Sequence, residues 1–359
     1  MRIALVSELY GTQKQGGENI AAFYLSKYLK KKKMHVELFS FKDNINSKLP
    51  NFLKSAPYIR QLVIPFIDRR LFLKLEKKYD LIHSTTTTCL AFFKPRVPVI
   101  LTCHGTLCKK FRTMAKDKRY RLLFNKLFFV FFKYLEKRSL RNIDKIIALR
   151  EEMKDYLIYE FNIPENKIVI IPNGVDVELF KPSNKKNNQV LFVGRATFAK
   201  GIDTLIKVSD YIDSNIIIVT TKISEKTLAL VEKKKNIEIL MNLSHEDLAK
   251  IYSQSKIFVL PSITEEQPLT VLEAMATSLP IITTKEGASN LILDGKNGII
   301  INERDYKTLA LSINKLINNK EESDKIGKLN RSIVEKKYSW DIIADETIKV
   351  YSGVIKNAN

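Results

Sequence analysis

Short apolar runs alternate with longer amphipathic stretches from one end of the chain to the other. The first series of runs is Ile3–Val6, Val36–Phe41, Leu81–Ser84, Val97–Thr102, Lys145–Ala148 and Ile168–Ile171. A second series follows at Gln189–Val193, Asn215–Val219, Ile237–Leu240, Ile257–Leu260, Pro280–Thr283 and Gly298–Ile301. Most are almost unbroken apolar segments, the pattern of parallel strands covered on both faces. Between them Glu18–Lys31, Ile202–Tyr211 and His245–Ser253 carry apolar residues at helical spacing. Repeated strand–helix alternation predicts a doubly wound α/β architecture.

The alternation has one seam. Pro172-Asn173-Gly174 closes an apolar run, and the polar stretch Lys181–Asn188 precedes the next. Six predicted strands lie on each side, so the pattern predicts two Rossmann-like domains with cores near 1–172 and 189–335. Ligands of such sheets bind beyond the carboxyl ends of the strands, which predicts a cleft where the two domains face each other.

Composition narrows the class. The chain has 359 residues, 45% hydrophobic and 28% charged, which excludes a disordered chain or a disulfide-stapled miniprotein. Cys89, Cys103 and Cys108 form no C-x-x-C pair or zinc spacing and read as reduced thiols of a cytosolic protein. Met1–Val6 turns polar at Ser7-Glu8, a buried strand rather than a signal segment. The most apolar window, Leu122–Leu135, is broken by Asn125, Lys126 and Lys133 and falls short of the roughly 20 residues a membrane span needs.

Charge divides the chain at the same scale as the strands. Residues 1–150 hold 32 Lys+Arg against 10 Asp+Glu, whereas residues 151–359 hold 28 against 29. A biased proteome would spread the excess evenly, so the basic half calls for an anionic partner.

Two segments carry candidate chemistry. In Pro261–Ala276 a predicted strand feeds a polar loop, and Pro268 fits the first turn of a helix running to about Ser278. The N–H groups of Leu269 and Thr270 at that helix start suit an anion such as phosphate. Glu265 precedes the helix and Glu273 lies within it, with seven residues between. The plainer alternative makes Glu265 a complement to the helix dipole and Glu273 a solvated residue. In Val190–Gly201 a strand ends at Gly194, and Arg195 and Lys200 follow on a loop. Together they can neutralise a diphosphate, Arg by a fork and Lys as a point charge.

The combination G-R-x4-K-G and P-S-x2-E-x7-E-A-M-A resembles the retaining glycosyltransferases of family 4, the group 1 transferases with the GT-B fold. Ile170–Asp176, Gly16-Gly17, Asp294-Gly295-Lys296-Asn297-Gly298 and Tyr338-Ser339-Trp340 resemble further family segments. The chain departs at Glu266-Gln267-Pro268, where the family often has Gly-Phe-Gly. The resemblance implies an acceptor domain over 1–172 joined by a C-terminal helix at about 340–359, and a nucleotide-sugar donor domain over 173–339. It implies that Arg195 and Lys200 hold the donor diphosphate and stabilise the leaving group without a metal or cofactor. It further implies that Glu273 binds the ribose hydroxyls, Glu265 the sugar, and Leu269 and Thr270 the phosphates. Gly16 and Gly17 would admit phosphate or acceptor close to the backbone. The resemblance implies that the anomeric configuration is retained, and a UDP-sugar is the favoured expectation for the donor.

His104 ends the run Val99–Cys103, and the resemblance gives it a sugar-contacting or catalytic role; the alternative is a strand-end His bonded to nearby backbone. His83 reads as a structural histidine, and His35 and His245 as surface residues.

The segment from Lys109 to Arg141 holds 12 Lys+Arg and two acids, Asp117 and Glu136. Its aromatic residues exceed what one buried face needs. Lys109, Lys110, Arg112, Lys118, Arg119, Arg121, Phe128 and Phe129 therefore read as a surface for anionic lipid. Lys48–Lys78 is a weaker second candidate. The expectation is a cytoplasmic enzyme, peripheral on the inner face of the cell membrane, acting on a lipid-linked glycan or glycolipid. Two alternatives stand beside it: another GT-B enzyme such as a sugar-nucleotide epimerase, and a nucleic-acid-binding protein. The second lacks any helix-turn-helix, zinc-finger or RNP pattern, so no nucleic-acid partner is expected.

Overall fold

The computed structural model describes residues 1–7, 16–40, 70–85, 93–109 and 126–356, with side chains from Phe129 onward in the last range. The chain divides into two compact units, one drawn from residues 1–11, 18–172 and 343–359 and the other from 12–17 and 173–342.

The first unit carries strands β1 (Arg2–Ser7), β2 (His35–Ser40), β3 (Leu81–Ser84), β4 (Val99–Cys103), β5 (Lys145–Ala148) and β6 (Ile168–Ile170). All pair in parallel, in the spatial order β2-β1-β3-β4-β5-β6. The predicted strand from Val97 begins two residues later. Pro98 has no N–H to give the ladder, and only its carbonyl joins in, accepting from Ile82. Helices α1 (Gly17–Lys31), α2 (Lys126–Arg141) and α3 (Glu151–Phe161) belong to this unit. Ala4, Val6, Ile82, Leu101, Ile146, Met153, Leu157 and Phe161 form the buried core between sheet and helices. Cys103 and Cys108 are buried within it as thiols.

The second unit carries β7 (Gln189–Val193), β8 (Asn215–Thr220), β9 (Ile237–Met241), β10 (Ile257–Leu260), β11 (Ile281–Thr284) and β12 (Ile299–Ile301). These are also parallel, ordered β12-β11-β10-β7-β8-β9. The helices of this part are α4 (Ile202–Val208), α5 (Glu225–Val231), α6 (His245–Gln254), α7 (Leu269–Ala276), α8 (Lys285–Ala288), α9 (Tyr306–Asn318) and α10 (Lys320–Lys337). A last helix, α11 (Trp340–Lys356), starts in the second unit and gives most of its length to the first. Ser224, Ser244, Asp305 and Asn319 cap α5, α6, α9 and α10 with side-chain oxygens, replacing partners the first-turn N–H groups lack.

The strand order decides where the loops of the second sheet can gather. From β7 the chain proceeds outward through β8 and β9, then returns to the other side of β7 as β10. The connections leaving β7 and β10 therefore diverge, and the carboxyl ends of these neighbours frame the topological switch point of the sheet.

Candidate active site

Both candidate loops of the second unit leave the sheet at that switch point. The β7 loop runs from Gly194 through a short 3₁₀ turn, Phe198–Lys200, to Gly201. The β10 loop runs from Pro261 to Pro268. Their backbones meet at two points. The Ile263 N–H donates to the Ala199 carbonyl at 2.9 Å. Gly201, in the left-handed region at φ 77°, lies so close that a Cβ there would stand 2.2 Å from the Pro261 carbonyl oxygen. Only glycine meets both demands, the backbone turn and the close approach.

This stitching brings together residues 65 positions apart. The Lys200 ammonium donates to Oε1 of Glu265, a short charge-assisted contact, and the Ser262 hydroxyl donates to the same oxygen at 2.9 Å. The two residues to which separate duties were assigned thus form one ion pair. Arg195 is exposed, and its side chain makes no hydrogen bond or ion pair with the described residues. One cation of the loop is pre-positioned by a carboxylate while the other extends into solvent.

Pro268 is the N-cap of α7 rather than a residue of its first turn. Its φ of −72° and ψ of 121° place it outside the helix, and α7 ends at Ala276, two residues short of Ser278. Leu269 and Thr270 open the helix as predicted. Glu273 is not the solvated residue of the plainer alternative. It is buried, its Oε2 has no hydrogen-bond partner, and burial pushes its carboxyl up to about 7 against an opposing hydrogen bond from Tyr252. The single Tyr252 hydroxyl proton is shared with the Thr270 carbonyl, which lies 3.1 Å from the same oxygen. A buried carboxylate oxygen lacking a donor is costly to the fold and suits a ligand that brings hydroxyl donors of its own.

In the first unit, His104 follows the last residue of β4 and is half-buried. Gly16 takes the left-handed conformation at φ 75° and Gly17 opens α1. His83 is structural, as expected. Its Nδ1 meets the Tyr351 hydroxyl and its Nε2 the Thr102 hydroxyl, both at 2.7 Å. Complete burial, reinforced by the nearby His104, holds its pKa at about 3, so the ring is neutral. His35 is exposed, but His245 is half-buried at the start of α6, and that burial lowers its pKa.

Residues 15–179 match the family model described as Glycosyltransferase Family 4, and residues 178–333 match the model described as Glycosyl transferases group 1. An uncharacterized glycosyltransferase of Methanocaldococcus jannaschii is 32% identical over 76% of this chain and 75% of its own. The chain belongs to the group 1 glycosyltransferases. A capsular polysaccharide biosynthesis glycosyltransferase of Staphylococcus aureus is 26% identical over 92% of this transferase and 93% of its own length. A UDP-Gal:alpha-D-GlcNAc-diphosphoundecaprenol alpha-1,3-galactosyltransferase of Escherichia coli is 30% identical over 66% of this chain and 64% of its own. Among solved structures, sucrose-phosphate synthase from Thermosynechococcus elongatus superposes with TM-score 0.81 at 19% identity, covering 99% and 100% of the chains. An Anabaena protein solved in complex with UDP-glucose superposes with TM-score 0.74 at 17% identity, covering 98% and 100%. These structural likenesses establish the GT-B fold of the transferase.

The basic, aromatic segment of the transferase is described in part. Lys110, Arg112, Lys118, Arg119 and Arg121 lie outside the described residues, as does the side chain of Phe128. Lys109 is half-buried. Phe129 corrects the expectation of a lipid-facing ring, because it packs half-buried against the core of the first unit, beside buried Phe132 and Leu135. The outward face of α2 instead shows Val130, Phe131 and Tyr134, followed one turn on by Arg138 and Arg141. Among the described residues no helix is long and apolar enough to cross a membrane.

Two residues of the transferase carry roles that the sequence did not announce. Glu136, one of two acids in a basic stretch, is buried and accepts the N–H groups of Leu107 (2.7 Å) and Cys108 (3.0 Å), fastening the segment after His104. Its isolation among cations was a signal, since an acid in such a setting has a local task. Gln267 is buried and bonds to Asn173 at two points; its signal was the departure from Gly-Phe-Gly.

Proposed function

We propose that this transferase moves a sugar from a nucleotide-sugar, a UDP-sugar by preference, to a lipid-linked glycan or glycolipid, retaining the anomeric configuration. The observation that carries the donor reading is the arrangement at the switch point of the second sheet. A Lys200–Glu265 pair and an exposed Arg195 stand on loops that bond to each other, and a buried Glu273 with an unpartnered oxygen lies on the helix that follows the second of them. Ribose hydroxyls would supply Glu273 with the donors it lacks. Lys200, drawn from Glu265 toward the diphosphate, and Arg195 would take up negative charge as the bond from the anomeric carbon to phosphate oxygen breaks. Glu265, released in part, accepts sugar hydroxyls. The acceptor oxygen attacks from the face the phosphate leaves, and the departing phosphate oxygen takes its proton.

The first unit is the acceptor side in this reading, and His104, just past the end of β4, is a candidate for contact with a sugar. The Escherichia coli relative named for a diphosphoundecaprenol acceptor and the Anabaena neighbour solved with UDP-glucose support the two halves of the proposal. The outward face of α2, apolar at Val130, Phe131 and Tyr134 and cationic at Arg138 and Arg141, supports a peripheral position on anionic lipid at the cytoplasmic side. A thermal-shift screen of nucleotides and nucleotide-sugars tests the donor reading. One nucleoside diphosphate family should raise Tm with concentration by mass action. No shift from any of them would end the reading, and donor turnover without acceptor would point to epimerisation instead.

A further inference from the structure

Gln267 stands two residues after Glu265 and two before Leu269, at the middle of the tripeptide where the chain departs from Gly-Phe-Gly. Its side chain is buried. Oε1 accepts the Asn173 N–H at 2.5 Å, and the Gln267 carbonyl accepts the Asn173 side-chain amide at 3.3 Å. Asn173 is no ordinary partner. It begins the long C-terminal run of the second unit, next to the seam at Pro172. Beside it, Gly174 is covered so closely by the Trp340 ring that a Cβ would stand 2.5 Å from it. The Val175 N–H donates to the Tyr338 carbonyl at 2.8 Å, and the Trp340 N–H to the Val175 carbonyl at 3.2 Å. The segment is thus fixed on its far side by backbone bonds and a packed ring, a rigid anchor for whatever bonds to Asn173.

We propose that Gln267 is a positioning residue, clamping the Glu265–Pro268 loop to Asn173 so that the Glu265 carboxylate is held where the sugar needs it. The inference rests on the proposed donor reading for the identity of that sugar, though the clamp itself does not. Without it, the loop between Ser262 and α7 has its Lys200 and Ser262 contacts at Glu265 and the Ala199 bond at Ile263. When Lys200 turns to the diphosphate, the first of these weakens, leaving the Ser262 and Ile263 bonds at the start of the loop and the Gln267 clamp at its end to hold the carboxylate near its place. The consequence is selective. Nucleotide contacts fall to Arg195, Lys200, Glu273 and the N–H groups of Leu269 and Thr270, none of which bonds to Gln267 and the last two of which are held by the start of α7, so loss of the clamp should spare nucleotide affinity and slow transfer.

Gln267→Met keeps the volume and removes the acceptor; Asn173→Ala removes the second bond alone. Both variants are first checked for an intact thermal transition, and amide exchange is then followed in the nucleotide-free protein. Exchange across residues 173–175 and 262–268 is expected to quicken about tenfold or more in Gln267→Met, and less in Asn173→Ala. With the UDP-sugar that turns over, kcat should fall about tenfold to a hundredfold while UDP Kd stays within about threefold. Unchanged exchange in both variants overturns the clamp. Unchanged kcat, or a UDP Kd that rises in step with the loss of kcat, overturns its positioning role. If the wild-type protein binds no nucleotide, the donor reading falls, and the exchange measurement still decides whether the clamp exists.

Discussion

The Lys200 ammonium rests on the Glu265 carboxylate, joining the first loop of the second sheet to the loop after its fourth strand. The pair is mostly shielded, with side-chain exposures of 20% and 9%. Breaking a shielded pair by removing one partner leaves the other charge uncompensated. Lys200→Ala should lower transfer by about two to three orders of magnitude, the usual effect of deleting one electrostatic stabiliser. Steady-state kinetics alongside a melting curve would check this. Activity near wild type would remove Lys200 from the donor site.

Glu273 sets a pH dependence whose sign can be worked out. Burial raises its pKa from the ordinary 4.5 to about 7, so between those values the folded state holds a proton the unfolded chain has released. Its contribution to stability is present at low pH and is lost as pH rises through about 7, on the order of 3 kcal/mol in all. Glu273→Gln should therefore raise Tm at pH 8, have little effect on Tm at pH 4, and abolish most transfer. A nucleotide whose hydroxyls favour the carboxylate should bind more tightly as pH rises from 6 to 8. Calorimetric titration across that range would show it.

Gly201→Ala places a methyl group against the Pro261 carbonyl and asks alanine to adopt φ 77°. A loss of about 2 kcal/mol or more in folding stability is expected, from strain and overpacking together. Because the displaced groups lie between the two loops, kcat/KM should fall more than stability alone explains. Urea unfolding and kinetics on the same preparation would separate the two effects.

His83 and Tyr351 make a structural pair with no part in the chemistry. Tyr351→Phe removes the hydroxyl from a fully buried ring nitrogen and should cost about 1–3 kcal/mol. The His83 pKa is depressed to about 3, so its neutral ring favours the fold above pH 6.5, and that contribution declines as pH falls below 6.5. Tyr351→Phe should leave KM for the donor unchanged. A shift in KM would place the pair nearer the reaction than its burial implies.

On α2, Phe131→Asp with Tyr134→Asp should weaken sedimentation with vesicles containing anionic lipid while leaving Tm close to wild type, since both rings are exposed. Equal sedimentation of the variant would remove this face from the membrane reading.

The strands were legible because parallel strands buried on both faces write themselves as apolar runs. Ile257–Leu260 is continuously apolar, Leu81–Ser84 adds the buried polar pair His83-Ser84 to an apolar start, and the ends of both were read to the residue. Pro98 showed the limit, since whether a proline begins a strand depends on the neighbour its missing N–H would have faced. The charged residues of the candidate site were legible as residue types at strand ends. Their mutual pairing was not, because the adjacency of the Lys200 and Glu265 loops follows from the strand order β10-β7, which no local pattern encodes. Burial of Glu273 was hidden for a similar reason. A glutamate within an apolar helix faces in or out according to what packs on it, here Tyr252 from α6.

The Trp340 ring that covers Gly174 is the chain's single tryptophan. Excitation at the red edge of protein absorbance therefore reports on one place alone, the backbone just past the seam at Pro172. Its emission offers a label-free optical gauge of that place, readable in a cuvette during mixing, heating or ligand addition.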